Sequence, residues 1–119
     1  MTSSVLPMIV TRDLPRLAGF YRDLFGAVET GRTPPEGLTF YLGLRIGDSD
    51  LGLVSVDDAP EGPQRMLLSI AVPDVDALLP RVPELGGQVE GPPNDMPWGQ
   101  RVAHVQDPDG NSVNLTQQL

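Results

Sequence analysis

A chain of 119 residues, 39% hydrophobic and 20% charged, has the make-up of one ordinary globular domain and can bury about two thirds of its unfolded surface. Net charge is −8 and all eight basic residues are Arg, a balance that disfavours nucleic acid, whose binding relies on neutralising phosphates. There is no cysteine, which excludes disulfides, a thiolate nucleophile and Cys-based metal sites. The N-terminal sequence has neither a basic leader nor a long apolar run, so no membrane contact is expected and the cytoplasm is the expected location.

In chain order, Val5 to Arg12 suits a first strand, in which Pro7 belongs at an edge because it donates no ladder bond. Asp13 is placed to cap a helix, with Pro15 in its first turn. Leu14, Leu17, Ala18, Tyr21, Leu24 and Phe25 follow at helical spacing up to Gly26. Ala27 to Gly31 starts a strand, and residues 33–37 form a turn. Leu38–Ile46 and Leu51–Val56 make a hairpin around Gly47-Asp48-Ser49-Asp50. Residues 57–64, with Pro60, Gly62 and Pro63, form a linker.

Arg65 to Val72 suits a strand, and Asp74 caps a second helix with Val75, Leu78, Leu79, Val82 and Leu85 on one stripe. Pro80 and Pro83 each remove a backbone donor there, which predicts an interrupted helix. Gln88 to Glu90 is a short strand, and Gly91 to Gly99 a loop with the only Trp, Trp98. Arg101–Gln106 and Ser112–Thr116 flank Asp107-Pro108-Asp109-Gly110-Asn111, a strong turn sequence. With residues 107–110 as the loop, Ala103 would face Asn114, and His104 would face Val113 on the opposite side. Ser112, Asn114 and Thr116 share one polar face, with Val113 and Leu115 on the core side.

A constant shift of 61 residues relates the two halves. Asp13 matches Asp74, Leu24 matches Leu85, Gly26 matches Gly87, and Glu29 matches Glu90. Such self-similarity marks a duplicated unit. The chain reads as an α+β protein of two tandem βαβββ modules, at about 4–57 and 65–119, forming a cupped mixed sheet with helices on the outer face. A cupped face is where small ligands bind.

Arg12-Asp13-Leu14, Phe20-Tyr-Arg-Asp-Leu-Phe-Gly26, Val75-Asp-Ala-Leu78 and the Asp107–Asn114 hairpin together resemble the vicinal oxygen chelate superfamily. That family includes glyoxalase I, extradiol dioxygenases, fosfomycin-resistance enzymes and bleomycin-resistance proteins. The resemblance implies one domain over residues 1–119. It also implies metal-ligand positions at Leu6, Leu67, Asn114 and, through the repeat, Leu53. None of these side chains is a good ligand for a divalent cation, so neither metal nor cofactor is expected.

The opening Ser4-Val-Leu-Pro-Met-Ile-Val-Thr-Arg-Asp13 and the Pro97-Trp-Gly-Gln-Arg101 segment look most like the bleomycin-resistance branch. That likeness implies a homodimer, with the N-terminal strand exchanged between subunits, that sequesters a small ligand such as an antibiotic. The expected ligand-binding residues are Met8, Phe40, Leu53, Ser69, Trp98 and Asn114, with no catalytic residue. Trp98 has two readings, a stacking platform for a flat ligand or a cap on the second module's core. The alternatives are a lyase, isomerase or dioxygenase with displaced metal ligands, and a subunit that binds another protein. His104, the single histidine, is read as a structural or surface residue.

Overall fold

Proline confines the first strand. β1 (Met8–Thr11) begins one residue after Pro7, whose carbonyl accepts from the Gly52 amide at 2.8 Å, so the residue without a donor sits at the strand's entrance. The structure, a computed structural model, describes residues 5–119. Two compact units divide between Pro60 and Glu61. The first runs β1, α1 (Leu14–Phe25), β2 (Val28–Thr33), β3 (Tyr41–Ile46) and β4 (Ser49–Ser55). The second runs β5 (Leu67–Ala71), α2 (Val75–Leu78), α3 (Arg81–Glu84), β6 (Gln88–Val89), β7 (Asn94–Asp95), β8 (Gln100–Gln106) and β9 (Ser112–Gln118).

The repeat is visible in topology. The first sheet has the order β1-β4-β3-β2 and the second β5-β9-β8-β6, each with one parallel pair among antiparallel ones. Asp13 and Asp74 cap their helices alike, each carboxylate accepting from the amide three residues on at 3.2 Å. This satisfies one donor that the first turn leaves orphaned. β1 pairs with β4, Met8 opposite Gly52.

In the first unit α1 packs on β3 and β4. Leu17, Phe20, Tyr21, Ile9, Leu44 and Leu53 are fully buried, and Phe20 meets Tyr21 edge-on at 5.2 Å. Gly26 closes the helix at φ 68, a left-handed conformation open to glycine at no steric cost.

In the second unit the proline effect is visible. The helix breaks after Leu78, and the chain resumes helical turns at Arg81. The Val82 amide reaches back only to the Leu79 carbonyl, at 3.3 Å. Val75 and Val82 are still fully buried, together with Val105, Val113 and Leu115 of the sheet.

Three boundaries differ from the sequence expectation. β2 runs to Thr33, with an irregular register between Glu29 and Gly31. β3 begins only at Tyr41, which leaves Leu38 exposed. Within the expected loop 91–99 lies β7, pairing Asn94 with Val102 and Asp95 with Arg101. This strand of two polar residues has no apolar alternation. It is held by Arg101, whose guanidinium donates to both Asp95 carboxylate oxygens, at 2.7 and 3.2 Å, and to Asp76 at 2.8 Å.

Candidate functional site

The turn between β8 and β9 fixes what lies on the sheet's far face. Asp107 and Asn111 are both buried and bind each other. The Asn111 amide donates to Asp107 Oδ1 and its Nδ2 to Oδ2, both at 2.9 Å, while the Asp107 amide donates to the Asn111 carbonyl at 3.0 Å. Asn111 Oδ1 in turn accepts from the Gln64 amide at 2.7 Å. Asn111 thus belongs to the loop, which has five residues, and Gln106 pairs with Ser112.

The expected four-residue loop is therefore corrected, and every pair moves by one. Ala103 pairs with Leu115, not Asn114, and His104 pairs with Asn114, not Val113. A one-residue change of register moves a side chain to the other face, so His104 stands on the face of Asn114. Its Nδ1 lies 2.6 Å from Asn114 Oδ1.

The face of the second sheet turned away from α2 consequently carries a polar row, with exposed Leu67 in the row beside it. Ser69 pairs with Asn114 and Asn114 with His104, while the Glu90 amide donates to the His104 carbonyl at 3.0 Å. These four residues form one row across the strands, roughly 14 Å long at the usual strand spacing. In the next row Gln106 Nε2 donates to Glu90 Oε1 at 2.9 Å. Ser69, His104 and Glu90 are exposed and Asn114 is half-buried. Arg101, the cationic residue of β8, faces the helix side and Asp76; its pKa is pushed up by the hydrogen bond to Asp95, then by the charges of Asp95 and Asp76. The polar row thus carries one carboxylate and one imidazole.

Trp98 is 66% exposed, and its indole N–H donates to Gln100 Oε1 at 3.0 Å. Gln100 shares strand parity with His104, four residues along β8, so Trp98 is tethered beyond one end of the same face. The extended rise makes that separation about 13 Å.

The first sheet presents a different far face. Met8 pairs with Gly52, Gly52 with Gly43, and Gly43 with Gly31. Val10, Val54, Tyr41 and Thr33 form the adjoining row. A Cβ on Gly52 would lie 3.1 Å from both Met8 and Tyr41 side-chain atoms, so glycine is what lets these two side chains close over the strand. Met8 is exposed.

Leu53 is not part of this face. It is fully buried, because β4 alternates and Leu51 and Leu53 turn to α1. Ser69 pairs with Asn114 as Met8 pairs with Gly52, so the first-unit counterpart of Asn114 is Gly52. Phe40 precedes β3 with the parity of buried Leu42 and is itself exposed; it stands apart from the Met8–Gly52 row.

The positions that the resemblance implies for metal ligands hold Leu6, Leu67, Asn114 and, by strand pairing, Gly52. Two are hydrocarbon, one has no side chain, and the Asn114 oxygen is engaged by His104. This set does not fit a divalent cation, which requires carboxylate or imidazole donors. Among the described residues no group of three or more His, Asp or Glu side chains is arranged to hold a metal.

The model of the Glyoxalase/Bleomycin resistance protein/Dioxygenase superfamily matches residues 5–115. A protein of Mycobacterium bovis is 32% identical over an alignment spanning 93% of this chain and 80% of its own length. A glyoxalase/bleomycin resistance protein/dioxygenase family enzyme from Burkholderia phytofirmans superposes with a TM-score of 0.80 at 23% identity, covering 96% of this chain and 97% of that one. The fosfomycin resistance protein FosX of Listeria monocytogenes superposes with a TM-score of 0.76 at 16% identity, over 100% and 95% of the two chains. The chain belongs to the Glyoxalase/Bleomycin resistance protein/Dioxygenase superfamily. Its fold, two mixed sheets with few helices, is that of the vicinal oxygen chelate proteins.

Proposed function

We propose that this protein binds a small organic molecule without a metal ion, and that the polar row of the second unit is its contact surface. The observation that carries this reading is the row itself. Ser69, Asn114, His104 and Glu90 offer hydrogen-bonding groups at exposed or half-buried positions, while the family's ligand positions hold side chains that suit no cation. The tethered, exposed indole of Trp98 supplies an aromatic surface for a flat ligand. Net charge of −8 favours approach of a cationic one. Sequestration of an antibiotic fits this design. We place the protein in the cytoplasm as a homodimer with residues 1–119 acting as a single domain; among the described residues no helix is long and apolar enough to cross a membrane.

A thermal-shift screen tests the reading, because any ligand of the native state raises its melting temperature. Cationic and neutral aromatic compounds are compared with Zn, Ni, Mn and Fe salts. We expect at least one organic compound to raise Tm, and Ser69→Trp, which covers the β5 end of the row beside Asn114, to weaken that rise while the protein remains folded. A rise with metals and none with organic compounds would overturn the reading.

A second reading, an enzyme of the same family, is favoured by one observation: an exposed imidazole stands in the row. Turnover of a bound compound, abolished by His104→Ala with binding retained, would establish it.

A further inference from the structure

The His104–Asn114 contact sets which ring nitrogen is available. Asn114 Oδ1 only accepts hydrogen bonds, and it lies 2.6 Å from His104 Nδ1. With the amide oxygen assigned to that side, the contact is a hydrogen bond when the neutral ring carries its proton on Nδ1, and the bond made by one ring nitrogen sets the role of the other. A free imidazole prefers the opposite tautomer. Nε2, which has no partner among the described residues, is left as an acceptor on an exposed side chain. The next residue of the row is Glu90, whose amide donates to the His104 carbonyl and whose carboxylate, an acceptor only, is met by Gln106 Nε2.

We infer that His104 Nε2 and Glu90 make this row selective for ligands that present a hydrogen-bond donor, a hydroxyl or a protonated amine, at that point. Asn114 acts as a positioning residue by holding the imidazole in its acceptor form. The inference rests on the binding surface proposed above and adds its chemical preference. An acceptor-only group such as an ether or ester oxygen would displace water from Nε2 without replacing its hydrogen bond, which costs affinity. The same Asn–His pair accounts for an amide at position 114: it serves a neighbouring side chain.

The experiment uses the intact protein and two probes, benzyl alcohol and benzyl methyl ether, in which a methyl group replaces the hydroxyl proton. Long-range proton–nitrogen NMR of the single histidine reads the tautomer directly. We expect Nδ1 to show the protonated and Nε2 the unprotonated chemical shift while the ring is neutral. Benzyl alcohol should move the Nε2 signal and bind about fivefold more tightly than the ether, the size expected for one net hydrogen bond. In Asn114→Leu the preference should fall below about twofold, with the second sheet's amide spectrum otherwise preserved.

A proton on Nε2 in the neutral ring overturns the inference. So does equal affinity for the two probes, which, if accompanied by shifts at Ser69 and Asn114, leaves the binding surface intact. No perturbation of this row by either probe at about 20 mM, some twenty times a millimolar dissociation constant, counts against both the surface and its preference.

Discussion

The two units share a strand order and a capping device, yet they differ in helix and in far face. The first has a continuous helix of 12 residues and a far face of Met8, Val10, Gly52, Gly43 and Tyr41. The second has a broken helix and a far face of Ser69, Asn114, His104 and Gln106. What the copies have in common is the buried side: Leu17 and Leu44 in one, Val82 and Val113 in the other. Packing at native density constrains that side in both copies. The other side is free to diverge, and there the first copy carries Met8, Val10, glycines and the Arg45–Asp50 ion pair, while the second carries Ser69, Asn114 and His104 beside exposed Leu67.

The comparison can be broken most forcefully in the cores. Phe20→Ala in the first unit should cost about 3–5 kcal/mol. Val82→Ala, on the shorter helical piece, should cost about 2 kcal/mol. Urea unfolding followed by circular dichroism measures both. Equal losses would show that the broken helix anchors its sheet as firmly as the continuous one.

A smaller effect belongs to the turns. Asn111→Ala removes bonds to buried Asp107 and to the Gln64 amide and should cost about 1–3 kcal/mol. In the first unit the β3–β4 turn is only Gly47 and Asp48, with Gly47 at φ 61, and Asp48→Ala there should fall within about 0.5 kcal/mol of wild type. The same denaturation curves decide it, and comparable losses would erase the distinction between a buried and an exposed turn.

The smallest effect is electrostatic. The hydrogen bond from Arg45, followed by that residue's charge, holds Asp50 below its usual 3.8, and Arg101 does the same for Asp95. A carboxylate lowered by folding adds stability that is fully present above its unfolded pKa. That contribution is lost as pH falls below about 3.8 through the folded value. Both pairs are exposed, so the contributions are modest. Asp50→Asn and Asp95→Asn should each flatten the acid limb of a plot of Tm against pH by lowering neutral-pH stability by that same modest amount. The change should be more visible for Asp95, because Arg101 also binds Asp76 of α2. An unchanged acid limb in both variants would remove the electrostatic part of the comparison.

By itself the sequence determined the elements and the duplication. Helical spacing, two capping aspartates 61 residues apart and proline positions are local or periodic signals, and they suffice for α1, the interrupted second helix and the hairpins. Leu6 and Leu67 at ligand positions were equally legible. The tertiary structure alone decided the faces. Counting Asn111 as strand or turn alters the register by one residue, and this places His104 with Asn114 or against it. The five-residue alternative lay in the same Asp107–Asn111 stretch, but only the mutual burial of Asp107 and Asn111 and the bond from Gln64 select it. Leu53 was displaced for a related reason: a repeat shift of 61 holds through the helix and becomes 62 by the last strand, as Gly52 and Asn114 show. Side-chain direction along a strand has a period of two residues, so an error of one residue, harmless in a helix assignment, exchanges core for site.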